Sequence, residues 1–219
     1  MIKSLETRWA DGTKELLSKL EEKGVKFDKL NTLEMFGRDG TWQTTIYANK
    51  VRSLEVWEID SQWKDSLEKN LPSATIKIKD SIQCIKKKSD HHKFDLIMID
   101  NPMNTFGPKL DENEAGCYCE HFDIIKEIGK IIDNEAIVVF NVNRKPFDYE
   151  KYPLWKARRE EFYGNKKTDN LSLAFLHKFY RRLFEEIGFM TVFCFNVVRV
   201  LYGGADMTHY FAYSLRKIK

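Results

Sequence analysis

Asn31-Thr-Leu-Glu-Met-Phe-Gly-Arg-Asp-Gly-Thr-Trp42, followed by Ser53-Leu-Glu-Val-Trp-Glu-Ile-Asp60, decides the fold. The stretch reads as a short apolar strand ending in a carboxylate, a glycine-containing turn, a helix, and a second strand ending in another carboxylate. A strand that feeds a tight turn and then a helix points free backbone N–H groups beyond its C-terminal edge. Gly37 and Gly40 would let the backbone approach a ligand there, and Glu58 is placed to accept both hydroxyl hydrogens of a ribose. An ordinary βαβ unit with a glycine-bearing loop has the same pattern, so the rest of the chain has to discriminate.

Around this stretch, strands and helices alternate. Residues 4 to 22 carry Leu5, Trp9, Leu16, Leu17 and Leu20 on one helical stripe closed by Gly24, which predicts an N-terminal helix within residues 1–24. Strand patterns cover 31–35, 53–58, 74–79 and 94–100, with short amphipathic segments between them, so parallel pairing by right-handed crossovers is expected. A helix over 122–132 precedes the apolar run Ala136-Ile-Val-Val-Phe140, which suits a buried central strand. A long helix follows from about Asn170 to Ile187, with Gly188 just beyond it. Met190 to Val197 and Thr208 to Leu215 are then two strands joined through Gly203-Gly204, too close together for a crossover helix and therefore antiparallel. Residues 143 to 168 are the least regular segment.

The 219 residues fit one α/β domain with an inserted segment, and 42% hydrophobic with 32% charged residues describes a globular chain. No apolar run reaches the roughly eighteen residues of a membrane span. The polar, helix-patterned N-terminus does not read as a signal peptide, and a cytoplasmic location is expected. A net charge of +3 is too small to argue for nucleic acid from bulk electrostatics. The four cysteines, Cys84, Cys117, Cys119 and Cys194, do not form a secreted disulfide framework and are expected to be reduced.

Five βα units, a helix and a terminal antiparallel pair, with acids at the ends of the first strands, resemble the class I S-adenosylmethionine-dependent methyltransferases over about residues 28 to 216. The resemblance implies a Rossmann-like three-layer α/β sandwich. Its sheet would be mostly parallel and seven-stranded, in the order 3-2-1-4-5-7-6 with strand seven antiparallel, within a single domain 1–219. In that family the first strand ends in an acid and a glycine-rich turn, matched here by Leu33-Glu34-Met-Phe-Gly37-Arg-Asp-Gly40. The family's glycines fall two, four and six residues after the acid, where this chain has Phe36, Arg38 and Gly40. The resemblance implies S-adenosylmethionine as cofactor. Glu34 would line its methionine end, Gly37 and Gly40 would approach it closely, Glu58 would hold the ribose, Ile59 would pack on the adenine, and Asp80-Ser81 would meet the adenine amino group. Glu58 reads equally as a surface acid, and Asp80 as a helix N-cap.

The fourth strand ends in Asp100-Asn-Pro-Met-Asn104, at the edge where the methyl group would be presented. Members of the family that methylate exocyclic amines carry an Asn/Asp-Pro-Pro-aromatic motif there, and Asn101-Pro102 matches its start. Other members use an acid, which would suit Asp100; Asn-Pro is also a common turn dipeptide. Methyl transfer from a sulfonium is an in-line displacement, so alignment and proton removal are what protein groups supply, and Asp100 and Asn101 are the candidate catalytic residues. Phe36 and Trp42 are candidate aromatic walls for the positive sulfonium, Trp42 reading also as core.

Arg144 to Lys167 interleaves cations with aromatics, as surfaces that stack bases and neutralise phosphates do, and reads equally as a lid packed by its own aromatics. It is the candidate substrate-recognition segment, 143–168. A nucleic-acid base is therefore the first choice of acceptor and a small-molecule oxygen or nitrogen acceptor the second. A non-catalytic protein that kept the fold is the alternative from another class. Cys117-Tyr-Cys-Glu-His121 lacks the usual zinc spacing and a fourth partner, so no metal is expected. Lys86-Lys-Lys88 with His91-His92 reads as a solvated loop. A nicotinamide-dependent dehydrogenase would need the full G-x-G-x-x-G turn, which is missing. Aminopropyl transfer would need paired acids after the fourth strand, which are not clearly present.

Overall fold

The computed structural model describes residues 5–87, 93–100, 121–144, 153–165, 167–202 and 205–219. Seven strands form one sheet: β1 (Asn31–Met35), β2 (Ser53–Glu58), β3 (Thr75–Ile78), β4 (Leu96–Ile99), β5 (Glu135–Asn143), β6 (Phe189–Tyr202) and β7 (Ala205–Lys217). They are ordered β3-β2-β1-β4-β5-β7-β6. β1 to β5 pair in parallel, and β7 runs antiparallel to both β5 and β6. The expected topology is therefore the observed one.

Helices cover both faces, which suits the continuously apolar β4 and the Ala136–Phe140 run of β5. One face buries Leu33, Met35, Ile97, Ile99, Val138 and Phe140 beneath α5 (Phe122–Glu127), α6 (Pro153–Tyr163) and α7 (Leu173–Glu186). The other buries Val56, Leu96, Met98, Val139 and Ala212 against Leu16, Leu17 and Leu20 of α1 (Leu5–Glu22). α1 ends through Gly24 at φ +85°. Its Gly12 lies so close to β6 that a Cβ there would come within 2.6 Å of the Arg199 carbonyl oxygen. α7 is capped by Ser172 Oγ, which accepts the Phe175 N–H at 3.1 Å, and the chain leaves it through Gly188 at φ +89°.

Four expectations change. The helix after the glycine turn is only α2 (Thr44–Tyr47), one turn long and separated from β1 by eight residues, so no long helix N-terminus faces the edge of β1. The 122–132 segment is α5 followed by a 3₁₀ turn at Ile128–Ile131, where Gly129 lets the backbone lie on the Phe189 ring. The terminal strands are longer than their sequence patterns, because β6 continues through register shifts that interrupt strict alternation. The described part of 143–168 is less irregular than expected: β5 runs to Asn143 and α6 covers Pro153–Tyr163, proline being suited to the first helical position. Among the described residues the remaining α-helices are α3 (Lys64–Asn70) and α4 (Ser81–Lys86).

Candidate functional site

Backbone conformation in the turn after β1 follows the spacing of the acid. Phe36, Arg38 and Gly40, two, four and six residues after Glu34, have φ of +65°, +48° and +72°. The left-handed region normally taken by glycine is thus occupied at all three positions, twice by residues with side chains. Gly37 and Gly40 also pack closely against their neighbours. A Cβ at Gly37 would stand 2.2 Å from Val56 Cγ1, and one at Gly40 would stand 3.0 Å from Leu71 Cδ1. Both glycines bring the turn close onto β2 and onto the end of α3.

The turn's N–H groups are also used internally, which corrects the expectation of a free donor array. Those of Phe36 and Gly37 donate to Trp57 O at 2.9 and 3.3 Å, and that of Gly40 donates to Gly37 O at 3.0 Å. The Arg38 N–H donates to Glu58 Oε2 at 2.7 Å, while Glu58 Oε1 accepts the Asp60 N–H at 2.9 Å. Glu58 therefore ties the turn to the end of β2, each oxygen retaining a further lone pair. Above it the Arg38 guanidinium lies 5.1 Å from the Trp42 ring centroid and 5.5 Å from that of Trp63.

Glu34 is wholly buried, and its Oε1 accepts a hydrogen bond from Gln43 Nε2 at 2.9 Å. Oε2 has no partner among the described residues. Burial, reinforced by the negative charge of Asp100, pushes the Glu34 carboxyl up to about 8, against the opposing hydrogen bonds of Gln43 and Thr44. At neutral pH Glu34 is a protonated acid.

Asp100, directly after β4, is buried against side chains of β6 and β7. Its Oδ1 pairs with Arg199 Nε at 2.8 Å and its Oδ2 accepts the Tyr210 hydroxyl at 2.6 Å. Thr13 of α1 reaches the same cluster, its Oγ1 lying 3.5 Å from the Tyr210 oxygen. Burial and the Asp100 charge raise the Tyr210 hydroxyl well above its ordinary value. Asn101, with Pro102 to Asn104, lies outside the described residues.

Beside this cluster stands His121, buried immediately before α5. Its Nε2 meets the Asn141 Oδ1 of β5, and its ring stacks on Phe36 with centroids 6.0 Å apart. Burial pushes the imidazole down to about 4, so it is neutral at physiological pH. Further along the same edge, Thr208 Oγ1 donates to Asn143 Oδ1 at 3.1 Å, and Asn196 bridges His177 and His209 at 2.9 and 3.0 Å.

The remaining expected residues divide. Ile59, just after β2, is 39% exposed. Asp80 caps α4, its Oδ1 accepting the N–H groups of Ile82 and Gln83 at 2.9 and 3.0 Å, and Ser81 is buried behind it. In the basic aromatic segment, Arg159, Phe162 and Tyr163 are buried. Arg159 Nη2 donates to Asn143 O at 2.8 Å, and Phe162 stacks on Phe122 at 4.0 Å. Residues 145–152 and 166 of that segment, Cys117, Cys119, Lys88, His91, His92 and Gly203-Gly204 lie outside the described residues. Among the described residues no group of three His, Cys, Asp or Glu side chains could hold a metal ion, and no helix is long and apolar enough to cross a membrane.

Sequence reasoning missed Arg199, although one cation within the apolar Phe189–Tyr202 is a readable signal of a buried counter-charge. It also missed His121 as an edge residue, since its sequence neighbours Cys117 and Cys119 drew attention to metal binding.

No protein-family model matches the chain, and no curated protein matches it in sequence. Solved structures do resemble it. Magnesium protoporphyrin IX methyltransferase of Synechocystis, bound to S-adenosylhomocysteine, has a TM-score of 0.56 at 12% identity, over 99% of this chain and 89% of that one. The N-methyltransferase NodS of Bradyrhizobium japonicum, also bound to S-adenosylhomocysteine, has a TM-score of 0.52 at 13% identity, over 94% of this chain and 87% of that one. The likeness shows the fold, the Rossmann-like fold of class I methyltransferases.

Proposed function

We propose that the protein transfers a methyl group from S-adenosylmethionine to a small acceptor. The observation that carries this reading is the left-handed backbone at Phe36, Arg38 and Gly40, in register with the buried acid Glu34. A turn built only to connect β1 and β2 has no reason to hold two side-chain-bearing residues in a conformation that costs about 1–2 kcal/mol each. Oε2 of Glu34, unpartnered among the described residues, would face the ammonium of the cofactor's methionine end, whose positive charge would draw off the carboxyl proton and hold Glu34 ionised. Glu58 would receive the ribose hydroxyls on its remaining lone pairs, Ile59 one face of the adenine, and Asp80-Ser81 the adenine amino group. When bound, S-adenosylmethionine supplies the sulfonium methyl for an in-line displacement. The chain's own part is to bind, to align and to take a proton, with Phe36 beside the reacting centre.

Asp100 carries a different part from the one its position suggests. With one oxygen on Arg199 and the other on Tyr210, it would hold β4, β6 and β7 in register at the catalytic edge. Asn101 remains a candidate for holding the acceptor. The burial of Arg159, Phe162 and Tyr163 removes these three side chains from any base-stacking surface, and a small-molecule acceptor is taken as the first choice.

A second reading, a protein that binds the cofactor without turnover, is favoured by the turn's internally satisfied N–H groups. Calorimetry with S-adenosylmethionine and S-adenosylhomocysteine tests both. Binding of both ligands, weakened about ten-fold or more in Glu58→Gln through loss of charge-assisted hydrogen bonds, supports the site. No binding to either by the wild-type protein would overturn it. Formation of S-adenosylhomocysteine from S-adenosylmethionine then separates enzyme from binder.

A further inference from the structure

Resting on the methyltransferase reading, we propose that His121 is the catalytic proton acceptor, and that the methyl acceptor presents a hydroxyl or a weakly basic N–H, not a carboxylate or an aliphatic amine. The tautomer follows from one contact. Nε2 faces the Asn141 carbonyl oxygen, which can only accept, so the ring proton sits on Nε2 and the lone pair on Nδ1. Nδ1 is buried and has no hydrogen-bond partner among the described residues. A buried acceptor atom without a donor is costly unless a ligand supplies one.

The surroundings place this lone pair at the reacting edge. His121 stacks on Phe36, which stands two residues beyond Glu34 in the cofactor turn, and it feels the charges of Asp100 and Arg199 at the end of β4 and on β6. Those two charges form an ion pair, so a transient imidazolium meets neither an isolated cation nor an isolated anion.

The step balances without any further reactant. The acceptor's oxygen or nitrogen donates its lone pair to the methyl carbon, and the carbon–sulfur bond breaks with its pair passing to sulfur, leaving a neutral thioether. The acceptor's proton moves to Nδ1, so the positive charge of the sulfonium ends on the imidazole and is released to solvent afterwards. Burial disfavours a lasting imidazolium, so the donor must turn acidic as the methyl group arrives. A methylated hydroxyl, phenol or aromatic amine is such a donor; a methylated aliphatic ammonium holds its proton. A carboxylate brings no proton and would set its lone pairs against that of Nδ1.

The test uses the full chain with S-adenosylmethionine and two acceptor panels: phenols, anilines and nucleosides in one, carboxylates and aliphatic amines in the other. S-adenosylhomocysteine should form with members of the first panel alone. His121→Gln should lower kcat by about 100-fold or more, the usual contribution of a general base, with cofactor affinity held within about three-fold. His121→Phe, which keeps the ring packed on Phe36, should behave alike and separates chemistry from packing. Histidine nitrogen NMR should show His121 protonated on Nε2 alone at neutral pH. Retained turnover in both variants, a proton on Nδ1, turnover of the second panel, or cofactor binding without turnover of the first panel each overturns the inference. Failure to bind the cofactor at all overturns the methyltransferase reading, and this inference with it.

Discussion

Arg199 Nε lies 2.8 Å from Asp100 Oδ1 with both side chains at least 96% buried, so the guanidinium of one strand and the carboxylate ending another neutralise each other away from water. Breaking one half of such a pair leaves an uncompensated buried charge, at a cost of about 3–5 kcal/mol. Arg199→Leu should therefore lose about that much in denaturant unfolding. Asp100→Asn with Arg199→Leu together should lose less than the sum of the two single losses, because the double variant buries no lone charge. Additive losses would show that the two side chains do not act as a pair.

Arg38 separates backbone strain from side-chain contact. Its φ of +48° penalises any residue but glycine, while its guanidinium lies over Trp42 and Trp63. Arg38→Ala loses the aromatic contacts and keeps the strain; Arg38→Gly loses the contacts and relieves it. The alanine variant should thus be less stable than the glycine variant by about 1 kcal/mol in thermal or chemical unfolding. Equal stabilities would argue against a left-handed conformation at this position.

Gly37 packs against a side chain of β2, and that contact is specific enough to be reversed. Gly37→Ala places a methyl where Val56 Cγ1 now sits and should destabilise the fold by about 1–3 kcal/mol. Val56→Ala opens that space, so the double variant should be more stable than the sum of the two single changes predicts. No recovery would mean that the glycine is needed for a reason other than Val56.

These residues also mark how far the sequence could be read. The alternation of strands and helices was legible because segments such as Ala136-Ile-Val-Val-Phe140 are continuously apolar, and the closing antiparallel pair because the last two segments leave no room for a crossover, whereas the order of the strands came from the family resemblance. The acids were legible by position at strand ends. Their partners were not, because Asp100 meets Arg199 and Tyr210 across sequence separations that no local pattern encodes. The turn's conformation was hidden for another reason: Phe36 and Arg38 adopt a glycine's backbone without being glycine, so residue type alone could not reveal the match.

Glu34 and His121 set opposite limits on stability with pH. Glu34 holds its proton up to about 8 in the folded protein, whereas the unfolded chain releases it near 4.5, so raising the pH through that interval favours the unfolded state. His121 stays neutral down to about 4 when folded, whereas the unfolded imidazole takes a proton near 6.5, so lowering the pH from 6.5 to 4 also favours unfolding. Between 4.5 and 6.5 the two slopes oppose each other, and from these groups stability should be nearly level there and fall from 6.5 to 8. A ten-fold change in proton affinity between the folded and unfolded chain is worth about 1.4 kcal/mol, so the full effect of either group is of the order of a few kcal/mol. Glu34→Gln keeps an oxygen for Gln43 but has no proton to lose; its urea midpoint should stay level through that upper interval and exceed the wild type's at pH 8. In His121→Gln the decline should begin near 4.5 instead, since nothing then offsets Glu34. A wild-type protein whose midpoint rises between pH 6.5 and 8 would contradict a buried, protonated Glu34.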